Sequence, residues 1–363
     1  MKWLNIIKIC SQLNKIRLIL FVITLICIFL FSWKSSGYKE FYVPKGWPKP
    51  VYDFKKNPLS EQGFELGRKL FYDPILSRDS TISCASCHLQ YTGFAHTDHA
   101  LSHGIEGRIG TRNAMPIMNL AWTKLFHWDG GVVSLETQPI NPITNPLEMD
   151  NALVNVLKKI NQSKHYQKMF YNVFGDSVAT TKNLLKAISQ YTVSLVTYNS
   201  KYDKVMRHEK DVFFSSQEKN GYELFKRNCG TCHNEPMLTN DSFADNGLPL
   251  DNDYKDYGRV TITQNPKDSF NFRVPTLRNI EFTYPYMHDG RFKKLKEVIN
   301  FYTDGRVKRR TLARELQKPI RLSENEKKDL IAFLLTLTDK EFLFNPRYSY
   351  PNNKTKTNQY NEK

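Results

Sequence analysis

Cys84-Ala-Ser-Cys87-His88 and Cys229-Gly-Thr-Cys232-His233 write one five-residue pattern twice in a chain of 363 residues. Two thiols three positions apart share one turn of helix. There they can add to the two vinyl groups of a single porphyrin, and the adjacent imidazole is delivered to the iron as proximal ligand. The chain is thus expected to fold around two covalently bound haem c groups. A four-cysteine zinc site or two disulfides would also use these thiols, but neither explains a histidine after both pairs. Cys10 and Cys27, the two other cysteines, fall in a different kind of segment.

That segment sets the compartment. Lys2, Lys8, Lys15 and Arg17 precede an apolar run from Leu18 to Trp33. A cationic head before an apolar stretch leaves the N-terminus in the cytoplasm and sends the remainder out. The run is longer than most signal cores of about 7–15 residues and shorter than a full span of about 20, so a cleaved signal and a retained anchor both stay open. The following Lys34-Ser-Ser-Gly37 is a poor cleavage site and favours the anchor. The expected location is the periplasmic side of the cell envelope, attached to the inner membrane. Nucleic acid is excluded as a partner of an exported chain despite 52 Lys and Arg against 36 Asp and Glu, a net +16. With 40% hydrophobic residues the chain is globular, and its length suits two domains of roughly 100–200 residues.

The remainder reads as mainly α: two cytochrome-c-like haem domains in tandem after the N-terminal membrane or signal segment. The expected divisions are 1–36 as signal or anchor, 37–59 as a Pro-rich linker, 60–214 and 215–345 as the two haem domains, and 346–363 as a polar tail without fixed structure. A pseudo-repeat supports the tandem: Gly67, Leu70 and Phe71 before the first haem motif share the internal spacing of Gly221, Leu224 and Phe225 before the second, but 13 residues separate Phe71 from Cys84 and only 4 separate Phe225 from Cys229, as if the first domain carried an insertion. Helical spacing recurs in Leu153, Val156, Leu157 and Ile160, with Asp150 as expected cap, and in Leu184, Ile188, Tyr191 and Leu195. Ser215 with Glu218 and Ser323 with Glu326 read as capping boxes. Basic residues concentrate between Lys293 and Lys328, either a solvated face or a docking face for an acidic partner. His96 and His99 read as exposed loop residues, and His127 as structural.

Several longer stretches carry a resemblance. Gly110-Thr-Arg112-Asn113, Trp128-Asp129-Gly130, Leu135 to Gln138 through Pro142 to Glu148-Met149, Val274 to Asn279, and Thr283 to Gly290 resemble those of the bacterial di-haem cytochrome c peroxidases. That family includes the related enzyme that makes tryptophan tryptophylquinone. The resemblance covers roughly residues 60–340 and implies the following roles. His88 holds the peroxide-reacting haem and His233 the second. Gln138, Pro142 and Glu148 occupy the distal-pocket positions, with Glu148 moving the proton during oxygen–oxygen cleavage. Trp128 lies between the haems as an electron relay. His103 stands near the position of a histidine that closes the resting first haem, although the loop after it is longer than the family's. Asn113, Thr283 and Pro285 match the ligands of one calcium ion, hard oxygen donors suited to it.

One departure is informative. The family's peroxidases place a Met twelve residues beyond the H-D-G glycine as distal ligand of the second haem, and here that position is Tyr302, as in the quinone-forming enzyme. Met287 is a rival, and an open site is the third reading. A thioether raises the potential and favours ferrous iron, whereas a phenolate favours the ferric and higher states. The function implied first is reduction of hydrogen peroxide to water with electrons from a mono-haem cytochrome c or copper protein. The alternative is an oxidase that uses a high-valent iron state on a protein side chain or small organic substrate, and a third reading is a plain electron carrier. A homodimer is among the assemblies open to it.

Overall fold

The computed structural model describes residues 40–351. The expected membrane or signal run at 18–33 and most of the expected tail lie outside them. Among the described residues no helix is long and apolar enough to cross a membrane.

Ser60 begins the first helix among the described residues, α1 (Glu61–Tyr72), by accepting the amide of Gly63 on its hydroxyl. The haem turn α2 (Cys84–Cys87) follows, then α3 (Ile140–Thr144), α4 (Leu153–Gln162), α5 (Lys164–Phe174) and α6 (Thr181–Val193). The second half runs through α7 (Lys201–Met206), α8 (Ser216–Asn228), α9 (Val260–Thr263), α10 (Leu295–Asn300), α11 (Glu324–Leu335) and α12 (Lys340–Leu343). The only sheet among the described residues pairs β1 (Phe243–Ala244) antiparallel with β2 (Phe272–Arg273), Phe243 facing Arg273. The mainly α reading holds, and both capping boxes form: Ser215 with Glu218 opens α8 and Ser323 with Glu326 opens α11. Asp150 does not cap α4, which begins after Ala152. Its carboxylate instead accepts from Arg108 at 3.0 Å, a stronger partner than a helix amide.

The pseudo-repeat has a structural counterpart. Gly67 on α1 meets α6 so closely that a Cβ would lie 2.0 Å from the carbonyl oxygen of Ala187. On α8, Gly221 meets α11 in the same way, 2.0 Å from the carbonyl of Asp329. Each half therefore crosses two helices at a glycine, with Leu70 and Phe71 or Leu224 and Phe225 buried beside it. Because backbone rather than a flexible side chain fills the space, Gly221→Ala should cost about 1–3 kcal/mol by overpacking, read as a lower denaturant midpoint.

Two segments cross the division expected at 214/215. Tyr202 of α7 packs in the second core with Leu224, Phe225 and Phe333. Phe342 and Leu343 of α12 pack in the first with Phe64, Phe71, Phe94 and Tyr191. Residues 346–350, expected without structure, are fixed. The carbonyl of Tyr348 accepts from the hydroxyls of Tyr72 at 2.8 Å and Tyr191 at 2.7 Å, and Arg347 pairs with Glu61. The stretch expected as a linker is likewise anchored, Phe41, Trp47, Tyr52 and Phe54 lying against the cluster of Trp122, Phe126 and Leu135.

Candidate active site

The first C-x-x-C-H sequence winds as expected. Ser83 and Ser86 close the start of α2 through the Ser83 amide and Ser86 hydroxyl at 3.1 Å, and the amide of His88 reaches the carbonyl of Cys84 at 2.9 Å. The next turn brings the carbonyl of Phe94 to 2.7 Å from His88 Nδ1. Nδ1–H donates there, which fixes the tautomer and leaves Nε2 for a metal. Burial pushes His88 down to about 4, so the ring is neutral and ready to ligate.

His88 opens on a cavity of about 380 Å³ whose walls include Trp128, Gln138, Pro142 and Glu148. Three of these come from one short stretch. α3 carries Pro142, and Asn145 turns the chain by taking the amide of Leu147 on Oδ1 at 3.0 Å. The same side chain donates from Nδ2 to Glu148 Oε1 at 2.8 Å, so one asparagine both makes the turn and aims the carboxylate. Burial raises the Glu148 carboxyl above its ordinary value, and the Asn145 bond offsets part of that rise.

His103 is not on the cavity wall. Its ring stacks on His99 with centroids 4.1 Å apart, and its carbonyl accepts from the Cys87 thiol at 3.4 Å. His96, expected exposed, is 6% exposed, and its Nδ1 has no hydrogen-bond partner. His127, read as structural, lines the cavity, with Nε2 3.3 Å from the Gln138 amide nitrogen. Burial holds His127 below its ordinary value, so its Nε2 accepts from that amide and orients Gln138. Adjacency to Trp128 was the one sequence signal that could have found it.

The second site repeats the first with different walls. His233 Nδ1 lies 3.2 Å from the carbonyl of Leu238 and 3.1 Å from that of Pro275, again leaving Nε2 free. Burial pushes this ring down to about 4 as well. A cavity of about 220 Å³ is lined by Cys229, Cys232, His233, Met287 and Tyr302. Tyr302 arrives on a wide π turn at Phe301–Gly305 that continues α10, a distortion common where a side chain must be re-aimed at a site. Both rival ligands thus face one cavity.

Trp128 stands in the wall shared by the two cavities. It is 8% exposed and donates from Nε1 to the carbonyl of Asn113 at 2.9 Å. The motifs around it interlock. Arg112 Nη1 donates to Asp129 at 2.5 Å and its Nε to Asp256 at 2.6 Å, while the backbone amide of Asn113 donates to the carbonyl of His288 at 2.7 Å. Asn113, Thr283 and Pro285, expected around calcium, line the second cavity together. The Asn113 amide nitrogen is engaged by the carbonyl of Ala100 at 2.9 Å, so its oxygen is the end offered to a cation.

The four described cysteines are unbridged, and among the described residues no group of three or more His, Cys, Asp or Glu converges to hold an ion. Cys87 lines the first cavity and Cys229 with Cys232 the second, so the four thiols are not gathered around one zinc ion. Two thiol pairs, each with a neutral histidine opening on its own cavity, fit two haem c groups. A chain built in this way, with one tryptophan in the wall between the cavities, is a di-haem oxidoreductase of the c type.

Known proteins narrow this class. A family model described as di-haem cytochrome c peroxidase matches residues 61–211, and one described as cytochrome c matches 218–338. Methylamine utilization protein MauG of Methylorubrum extorquens is 34% identical, over 80% of this chain and 82% of its own. Cytochrome c551 peroxidase of Nitrosomonas europaea is 36% identical, over 80% of this chain and 84% of its own. The crystal structure of a MauG-like protein associated with microbial copper homeostasis superposes with a TM-score of 0.78 at 32% identity, covering 86% of this chain and 99% of that one. The chain belongs to the di-haem cytochrome c peroxidase family and is a peroxidase of that kind.

Proposed function

We propose that this enzyme reduces hydrogen peroxide to two waters, taking two electrons from a small redox protein and two protons from solvent. The observation that carries it is the convergence of Glu148, Gln138 and Pro142 on the cavity of His88, with Trp128 in the wall toward His233. The haem iron, when bound, supplies the electrons that break the oxygen–oxygen bond. Glu148 Oε, buried and with its carboxyl held above the ordinary value by desolvation, is suited to take the proton of one peroxide oxygen and hand it to the departing one. Gln138, steadied by His127, orients the peroxide, and Pro142 stands beside them in the cavity wall. Turnover of peroxide by the haem-loaded chain with a reduced cytochrome c or copper protein tests the reading, and no consumption of donor would overturn it.

The indole of Trp128 is the polarisable bridge between the two cavities. Trp128→Phe should slow electron passage between the haems by roughly tenfold, about 1.4 kcal/mol of barrier, measured by stopped-flow after reducing only the second haem. Asn113, Thr283 and Pro285 are the proposed calcium ligands. Exposed Lys308, Arg310, Arg314, Lys318 and Arg321 crowd the segment whose Leu316, Ile320 and Leu322 line the second cavity, so an acidic donor protein fits there. The run at 18–33 would hold this enzyme at the periplasmic side of the inner membrane.

Tyr302 favours a second reading, oxidation of a protein side chain or small organic substrate, because a phenolate ligand makes the second haem a poor store of electrons. Peroxide reacting with the all-ferric protein, without prior reduction, would support that reading. Reaction only after one electron has been added would support the donor-fed peroxidase, with His103 leaving its stack on His99 to close the resting haem.

A further inference from the structure

The second cavity offers two ligands of opposite effect, Tyr302 and Met287, and one side chain touches both. Asn246 Nδ2 lies 3.4 Å from Tyr302 Oη and 3.5 Å from Met287 Sδ. We propose that Asn246 is a positioning residue for the second haem: its amide N–H selects the phenolate of Tyr302 over the thioether of Met287 as distal ligand. This rests on the reading that the second haem occupies the cavity of His233 with Tyr302 on the distal side.

The orientation of the amide is decided by its own turn. Asn246 Oδ1 accepts the amide of Leu248 at 3.1 Å, so the oxygen is committed and the nitrogen faces the cavity. The turn itself is clamped from beneath. Asp245 is fully buried, and its carboxylate takes the amide of Gly247 at 2.8 Å, both Nε and Nη2 of Arg309 at 2.7 Å, and the hydroxyl of Thr311 at 2.7 Å. Arg309 also holds the carbonyl of Leu248 at 2.9 Å. Gly247 sits at φ +79°, where a side chain would be strained and would press on Arg306 and Leu312 at 3.1 Å. A turn fixed at this many points presents its amide without further ordering.

The chemistry of the two acceptors supplies the selection. A hydrogen bond to an oxygen carrying charge is about twice as strong as one between neutral groups. A thioether sulfur is a weak acceptor in any state. The same N–H therefore adds more to the phenolate-bound arrangement than to the sulfur-bound one. Nothing in the spacing of Tyr302 or Met287 carries this preference, because Asn246 lies 56 residues before the tyrosine.

The test uses the full, haem-loaded chain and reads absorption spectra with a spectroelectrochemical titration. Asn246→Asp keeps the oxygen that accepts from Leu248 but replaces the donor with a negative charge. It should lose the phenolate-to-ferric charge-transfer band and raise the potential of the second haem, leaving the first unchanged. Asn246→Ala carries the same expectation should the aspartate variant fail to load haem. Adding Met287→Leu should abolish the rise, since no thioether is left to bind. An unchanged spectrum and potential would overturn the proposal, as would a potential that falls with the band retained, which would mean that the amide tunes a ligand it does not select. Tyr302→Phe separates the two layers: if it leaves the band intact, the ligand assignment itself fails, whereas loss of the band there with none in the Asn246 variants sinks only the selection.

Discussion

Replacing Glu148 with glutamine should lower peroxide turnover by about 10²–10⁴-fold while both haems stay bound and the fold loses no stability at neutral pH. Glutamine keeps an oxygen for the Asn145 bond but cannot carry the proton. The stability half of the prediction follows from the sign of the shift. Burial raises the Glu148 carboxyl, so the native state binds its proton more tightly than the unfolded chain does. Such a group contributes fully below its unfolded value and loses that contribution as pH rises through the folded one. Above that point an ionised, buried carboxylate is a cost that Glu148→Gln removes, and the variant should melt at the same or a higher temperature. The wild-type kcat/KM should fall as pH drops through the raised value, because the base is then occupied, and that limb should vanish in the variant. Unchanged turnover, or a loss of activity matched by a loss of stability, would remove the proton role.

The largest effect on stability should come from Arg278, a residue with no part in the chemistry. It is fully buried, and its guanidinium makes two bonds to the Asp203 carboxylate at 2.9 and 2.8 Å, with Asp203 itself 4% exposed. A further bond reaches the carbonyl of Pro236 at 2.6 Å, and the ring of Trp47 lies 4.6 Å away. One side chain thus ties α7, the loop after the second haem motif and the stretch around Trp47. Arg278→Leu leaves a buried carboxylate without its cation and should cost about 3–5 kcal/mol, measured by denaturant unfolding of the haem-loaded chain. Asp203→Asn with Arg278→Leu should cost less than the two singly, since neither charge is then stranded. Burial alone would raise the Asp203 carboxyl, but the Arg278 bonds outweigh it and hold it below the ordinary range. Its contribution is therefore complete above the unfolded value of about 3.9 and is lost only as pH falls through the lower folded one. Acid should not mimic Arg278→Leu near neutrality.

Much of the site was legible because its chemistry is local in the chain. The two cysteines and the histidine of each C-x-x-C-H motif lie within about one helical turn, so spacing alone places both thiols beside the imidazole. The capping boxes at Ser215 and Ser323 close within three residues and were legible for the same reason. The resemblance then assigned Gln138, Pro142 and Glu148, which the structure brings to one cavity with His88.

What was misread depends on partners far away in sequence. Asp150 has the side chain of a cap, but Arg108, 42 residues earlier, claims its carboxylate. His96 looks like a polar loop residue and is buried. His127 and Asn145, which aim Gln138 and Glu148, carry no pattern that distinguishes them from any loop histidine or turn asparagine. Residues 346–350 look like part of a polar tail, yet Tyr191 reaches across 157 residues to bond the carbonyl of Tyr348.

By itself the sequence determined the two C-x-x-C-H turns, with each histidine set beside its pair of thiols, and the mainly helical class, because motif spacing and helix period act over a few residues. Only the tertiary structure decided that His127 meets Gln138 in the first cavity, that His103 lies off its wall, and that Asn246 meets Tyr302 and Met287 together at the second. Those juxtapositions are set by how the helices cross, at Gly67 and Gly221 among other places, and close packing at a crossing is a property of two surfaces that neither stretch of sequence contains alone.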